Sequence, residues 1–298
     1  MRTFLPEELT PRQKHQYILG VVNPRPICFA STLDAEARPN LAPYSFFNVF
    51  SSSPPVFIFS ANTRRDGSNK DTHQNAIATG EVVINLVNYS MARQMAICGV
   101  EYDTGINEFE KGGFTPVASE KVKPFRVKES PVQFECKVLE VRSLSKKPGA
   151  ANLIIAEAVL IHIDDNAFAP DDTIDPQKLD MVGRLGNFNY TRASGNSVFT
   201  IKQPPSEIAL GFDNLPPDLL KSSVLTGHFL AMLAGVVALP EKKEVLSFAR
   251  ESGLMREATQ PGAADPGIIH LRVKDFLEAG QVMNAWKYYL YMTSGDSQ

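Results

Sequence analysis

Residues 64 to 86 read RRDGSNKDTHQNAIATGEVVINL, a run that concentrates charge, hydroxyls and glycine where an anion could be held. Gly67 permits a left-handed turn, Ser68 or Asn69 can cap a helix beginning near Lys70, and Gly80 ends that helix. The first turn of a helix leaves its N–H groups unpaired and carries a partial positive charge. With the hydroxyls of Ser68 and Thr72, the ammonium of Lys70 and a guanidinium from Arg64 or Arg65, such a start offers an oxygen-rich anion both donors and charge. Asp71 speaks against a bare anion site, although near the cap its carboxylate can serve backbone donors instead. On local evidence alone, a capped surface helix with solvated basic residues is the simpler reading.

Other chemistry is thinly represented. The chain has no G-x-G-x-x-G or G-x-x-x-x-G-K-[ST] signal, no nucleophile elbow, no zinc ligand set and no carboxylate pair at informative spacing. His162, at the end of LIHIDD, could approach a redox cofactor or stand as a satisfied histidine at a sheet rim. His73, one turn into the cap helix, is expected at the surface. Cys28 is expected to be a small buried hydrophobe.

Strands must position these residues. PICFASTLD (26–34), VFIFSA (56–61) and EVVINLV (81–87) read as strands, the last fully buried. LAPYSFFNVFSSSPP (41–55) alternates, with Tyr44, Phe46, Asn48 and Phe50 on one face and Ser45, Phe47, Val49 and Ser51 on the other. SPVQFECKVLEVRSL and NLIIAEAVLIHIDD, joined by SKKPGAA, read as an antiparallel hairpin. Short helices are expected at TPRQKHQYIL, NKDTHQNAIATG and SMARQMAICGV. Closely spaced strands with small helical inserts, lacking strict βα alternation, point to a barrel or sandwich. Composition shifts near FTIKQPPSE (199–207), and helical periodicity follows. The expected organisation is a β domain over 1–204 and a mostly helical extension over 205–298.

Bulk properties set the class. The 298 residues are 43% hydrophobic and 21% charged, with a net charge of −3, and the basic residues are scattered, which argues against nucleic acid as the main partner. Three cysteines, far apart and without paired spacing, favour a reducing cytoplasm. The N-terminal stretch has no apolar core of a signal peptide, and FLAMLAGVVAL (229–239) falls short of a membrane span.

The stretch NPRPICFASTLDAEARPNLAPYSFFNVFSSSPPVFIFS, running into DGSNKDTHQNAIATGEVVINLV, resembles the flavin reductase-like family with an FMN-binding split barrel. The later ESPVQFECKVLEV, NLIIAEAVLIHID and VGRLGNFNY carry the same resemblance, which spans roughly residues 15 to 200. Flavoredoxins and the reductase components of two-component monooxygenases look most alike. The resemblance implies a mainly β fold, a six-stranded antiparallel split barrel of Greek-key type, and a homodimer with FMN near the subunit interface. It puts the FMN phosphate on Ser68, Lys70 and Thr72, with Ser60 and Arg64 contributing. It sets the flavin ring along NLAPYSFFN, where backbone groups of Leu41 and Ala42, plus Ser45 and Asn48, face its polar edge. Thr32 is a further ring or ribityl contact, and Arg184 and Tyr190 are looser ones. The implied activity is hydride transfer from NADH or NADPH to FMN, with electrons passed to a monooxygenase or another redox protein. A flavoredoxin-like carrier with permanently bound FMN and a non-enzymatic module for planar cofactors stay open beside it.

The last 90-odd residues depart from the short family members. DFLEAGQVMNAWKYYLY, with Trp286 beside three tyrosines, suggests an interface, a lid, or more simply packing against the barrel. The extension is expected to narrow the substrate range.

Overall fold

The computed structural model describes residues 1–201, 208–259 and 262–294. The chain divides into two compact units, Met1–Phe199 and Thr200–Gln298. The boundary expected at 204/205 lies outside the described residues.

The first unit opens on α1 (Pro11–Val21), whose start is a capping box. Thr10 Oγ1 accepts from Gln13 N, and Gln13 Oε1 accepts from Thr10 N, with proline at the first helical position. Seven strands follow: β1 (Cys28–Leu33), β2 (Pro39–Tyr44), β3 (Phe47–Ser52), β4 (Pro55–Ser60), β5 (Glu81–Leu86) and, after two short strands, the long hairpin of β8 (Val132–Ser143) and β9 (Asn152–Ile163). Between them lie α2 (Asp71–Thr79), α3 (Ala92–Ile97), α4 (Glu108–Gly112) and the small pair β6 (Pro116–Val117) and β7 (Arg126–Val127). After the hairpin, α5 (Pro176–Leu179) precedes a second small pair, β10 (Val182–Arg184) with β11 (Tyr190–Arg192).

The main sheet is antiparallel in the order β2-β1-β5-β8-β9-β4-β3. It has seven strands where six were expected. Its hydrogen-bonded order has β2 and β3 at the ends, and the ladder is that of a seven-stranded antiparallel sheet. The extra strand arises where 41–55 was expected to alternate without interruption. The chain bends at Ser45–Phe46, and the β3–β4 register shifts between Val49 and Ser51. Each irregularity resets the two-residue period. Tyr44 is therefore buried while Asn48 and Phe50 are exposed, although all three were expected on one face.

Every residue of β1 is buried because both faces of the strand are covered. Cys28 and Ala30 join one apolar cluster with Phe59, Ile84, Cys136 and Ile154, and Phe29 joins another with Leu41, Met91, Met95 and Phe109. A strand covered on both sides reads as a continuous apolar run, which is why 26–34 was legible. Full burial of side chains such as Phe59 or Ile84 contributes roughly 1.5–3 kcal/mol each. Helix α2 buries Thr72, His73, Asn75 and Ala76, so His73 is a core residue and not the surface one expected. The hydrogen bonds and contacts of the helix with β1 and β2 enclose these residues.

The second unit is helical, as periodicity predicted: α6 (Pro217–Leu220), α7 (Gly227–Ala234), α8 (Lys242–Glu251), α9 (Leu254–Glu257), α10 (Pro266–Glu278) and α11 (Val282–Thr293). Asp265 caps α10 by accepting from Gly267 N and Ile268 N, with Pro266 at the first position. Trp286, Tyr288, Tyr289 and Tyr291 are buried with Leu219, Leu233 and Val273 in this unit's own core. The aromatic run is thus buried within this unit. Trp286 Nε1 donates to Leu233 O at 3.1 Å. Among the described residues no helix is long and apolar enough to cross a membrane.

Candidate functional site

The turn before α2 is built by Asp66. Gly67 takes φ 87°, Arg64 N donates to Ser68 O at 2.8 Å, and both N and Oγ of Ser68 donate to Asp66 Oδ1, at 2.8 and 2.7 Å. A carboxylate two residues earlier outcompetes the helix for the serine hydroxyl. Ser68 or Asn69 was expected to cap α2, and neither does. Lys70 occupies the cap position and supplies no side-chain cap, and Gly80 closes the helix in the left-handed region as expected. Among the described residues the N–H groups of Asp71 and Thr72 have no acceptor.

The charges around this helix start are unequal. Arg64 donates to Asp71 Oδ2 at 3.2 Å and to the Asn69 carbonyl, and Thr104 Oγ1 donates to Asp71 Oδ1 at 3.2 Å. Arg64 and Asp71 thus largely offset one another. Lys70 is half-buried, with Nζ 5.8 Å from the centre of the Tyr44 ring, and no carboxylate pairs with it among the described residues. Burial pulls its pKa below the usual lysine value, while Glu101 works in the opposite direction. An uncapped helix start beside an unpaired, partly desolvated ammonium is a donor set that fits a phosphate.

Behind it lies a buried polar network that the sequence did not disclose. Asn40 Nδ2 donates to Thr32 Oγ1 at 3.1 Å and to Thr72 Oγ1 at 2.8 Å. Asn75 Nδ2 donates to Thr32 Oγ1 at 3.1 Å, and Tyr44 OH donates to Thr72 Oγ1 at 2.9 Å. Thr32 and Thr72 are fully enclosed, so both tie α2 to β1 and β2. Leu41 N donates to Glu108 Oε2 at 3.0 Å, which occupies that backbone group. Burial pushes Glu108 above the usual carboxylate range, and the Leu41 N–H works to lower it. The one available signal was spacing: Asn40, Ala42 and Tyr44 share a face of β2.

Two cavities open beside this network. The smaller is lined by Ala42, Arg64 and Lys70, together with Asp71, Cys98 and Glu108 among others. The larger, about 680 Å³, is lined by Ser45, Arg184 and Tyr190, with residues of α1 and the 184–190 segment. Pro43, Tyr44 and Gly99 line both, so the two share a wall. A volume of this order lies within the range of small-molecule sites. Six of the twelve expected contacts are thereby brought to one region. Thr32, Leu41, Asn48, Ser60, Ser68 and Thr72 line neither cavity. Asn48 is exposed on the edge strand, where its Oδ1 accepts from Val49 N, and Ser60 Oγ donates to Asn62 Oδ1 at 2.6 Å. His162 also stands apart, its Nε2 2.8 Å from Glu135 Oε1. Cys98 Sγ donates to Glu108 O, and burial pushes the thiol up to about 12, so it carries no thiolate near neutral pH.

Comparison with known proteins identifies the family of the first unit. Residues 22–179 match the model of the flavin reductase like domain. A protein of Aquifex aeolicus is 37% identical over 192 residues, covering 64% of this chain and 96% of that protein. The crystal structure of nitrilotriacetate monooxygenase component B from Bacillus cereus is similar, with TM-score 0.63 and 28% identity, over 67% of this chain and 98% of that one. A structure from Shewanella frigidimarina described as having a split barrel domain gives TM-score 0.58 and 26% identity, over 68% and 99% of the two chains. The chain is longer than these relatives.

Proposed function

The chain belongs to the flavin reductase-like family, and from that premise we propose that it is an FMN-dependent oxidoreductase that draws a hydride from NADH or NADPH. The observation that carries the reading is the uncapped start of α2 with the unpaired ammonium of Lys70, opening on a cavity that shares a wall with a larger one. Lys70 and the N–H groups of Asp71 and Thr72 would hold the phosphate. Ala42, Ser45 and Tyr190 would flank the ring. When bound, FMN supplies the two-electron acceptor that none of the side chains provides. The protein's part is position. The buried ties from Asn40 and Tyr44 to Thr72 keep the helix start from yielding as the anion arrives, and Pro43 with Tyr44 gives the wall a fixed shape.

We further infer a homodimer, because Val49, Phe50, Leu139, Val159 and Ile161 leave apolar surface exposed on three strands of the sheet. Sedimentation at micromolar concentration tests this, and a monomer refutes it. Three free, buried cysteines support a reducing cytoplasm. A monooxygenase or another redox protein would receive the electrons.

The decisive experiment is an absorbance spectrum of the purified protein with added FMN, followed by anaerobic titration with each nicotinamide. The expected outcome is stoichiometric flavin uptake and bleaching by at least one of the two. A protein that takes up no FMN and leaves both nicotinamides unoxidised refutes the proposal.

A further inference from the structure

Arg25 is buried, with 7% of its surface exposed, yet it lines the larger cavity. Its guanidinium donates only to main-chain carbonyls: Leu19 O at 2.8 Å, Leu185 O at 3.0 Å, and Val22 O. Its Nε is buried without a partner. Arg184 stands beside it, because the two backbones pair through Arg25 N to Arg184 O at 2.9 Å and Arg184 N to Arg25 O at 2.8 Å. The Arg184 guanidinium lies 4.6 Å from the Tyr190 ring centre and donates to Tyr190 OH and Asn187 O. No carboxylate pairs with either arginine among the described residues, and no aspartate or glutamate lines this cavity.

Two neighbouring cations with an orphaned buried donor are costly to hold without an anion. Ile27, Phe46, Met95 and Phe188 give the wall an apolar and aromatic part, and His15, Gln16, Ser45 and Asn187 add neutral or weakly basic polar groups. We propose that the larger cavity receives a small planar organic acid, its anionic group met by Arg25 and Arg184 and its ring by the apolar wall. Arg25 is committed to three carbonyls and Arg184 to two oxygens, so the pair keeps few free N–H groups, which suits a single carboxylate better than the many oxygens of a pyrophosphate. The acid would lie in the region assigned to the flavin ring, so its purpose, as a molecule set against the flavin, rests on the function proposed above. Its binding does not.

The test is calorimetric titration of the full chain, with and without saturating FMN, using benzoate, its neutral isostere benzamide, and inorganic pyrophosphate. The expected result is at least tenfold tighter binding of benzoate than of benzamide, weakening as salt rises, and little binding of pyrophosphate. Arg25→Gln and Arg184→Gln should each bring the two aromatic probes within threefold of one another, with thermal melts reporting the fold of each variant. The wild-type comparison needs no variant, so a poorly folded Arg25→Gln leaves the test intact. Equal binding of benzoate and benzamide overturns the proposal. So does a preference for pyrophosphate, which would give the arginines to the dinucleotide, or displacement of benzoate by FMN, which would give them to the flavin. FMN uptake without a benzoate preference sinks the acid site alone. A benzoate preference without FMN uptake keeps the acid site and sinks the flavin reading.

Discussion

Replacing Lys70 with methionine removes one charge from the helix start while keeping most of the side chain's bulk against Tyr44. Among the described residues this half-buried ammonium has no carboxylate partner, whereas Arg64 is held by Asp71 and the Asn69 carbonyl and Arg65 is exposed. Two unit charges about 4 Å apart interact by about 4 kcal/mol at an effective dielectric near 20. Part of that is offset by the cost of stripping water from the phosphate, and hydrogen bonds to charged groups contribute about 1.5–3 kcal/mol net. The expected loss in FMN affinity is therefore roughly 10- to 150-fold. Ser68→Ala is the matched control. Its hydroxyl already donates to Asp66, so its loss should change FMN affinity less than about threefold, within the range of a surface substitution. Titration of FMN fluorescence, repeated across a salt series, measures both. An affinity for Lys70→Met within threefold of wild type refutes the assignment of the phosphate to this turn, and a Ser68→Ala effect larger than that of Lys70→Met would show that the turn rearranges around its anion.

Three further outcomes follow from buried groups. Glu135 has no exposed side-chain surface and accepts from the N–H groups of Glu120, Lys121 and Val122 and from His162. Burial works to raise its pKa, but these donors hold it below the usual range. Glu135→Ala should cost about 3–5 kcal/mol in urea unfolding, and a cost below about 1 kcal/mol would show that the 120–122 loop does not depend on it. Burial lowers the pKa of His73, whose Nδ1 has no partner. The unfolded chain then binds a proton that the folded chain resists, so this stabilisation is present above about pH 6.5 and is lost as pH falls. The urea midpoint of His73→Leu should decline less than that of wild type between about pH 7.5 and 5.5, and parallel curves would refute the argument. Trp286→Phe leaves the Leu233 carbonyl unpaired and should destabilise the second unit by about 1–3 kcal/mol in guanidinium unfolding followed by circular dichroism.

What could be read from the chain alone was local. The apolar runs at 26–34 and 81–87, the glycines at 67 and 80 and the long hairpin are set by backbone sterics and side-chain period within a few residues, and the resemblance to the flavin reductase-like family rested on such segments in order. The alternation of 41–55 misled because a bend and a register shift, each one or two residues long, leave no mark in a two-residue pattern.

The site's details belong to contacts between distant residues. Asn40 meets Thr72 across 32 positions, Asn75 meets Thr32 across 43, and Leu41 meets Glu108 across 67. Such pairings bury Thr32 and Thr72 as struts and enclose His73, and among the described residues they leave Lys70 without an ion pair and Arg25 Nε without a partner. Sequence alone determined where the long strands, the helix before β5 and its closing glycine fall, because those choices are decided by each residue's own torsions and its near neighbours. Only the packed structure decided which hydroxyls and cations remain available, because a donor is spent or free according to what the fold brings within about 3 Å of it.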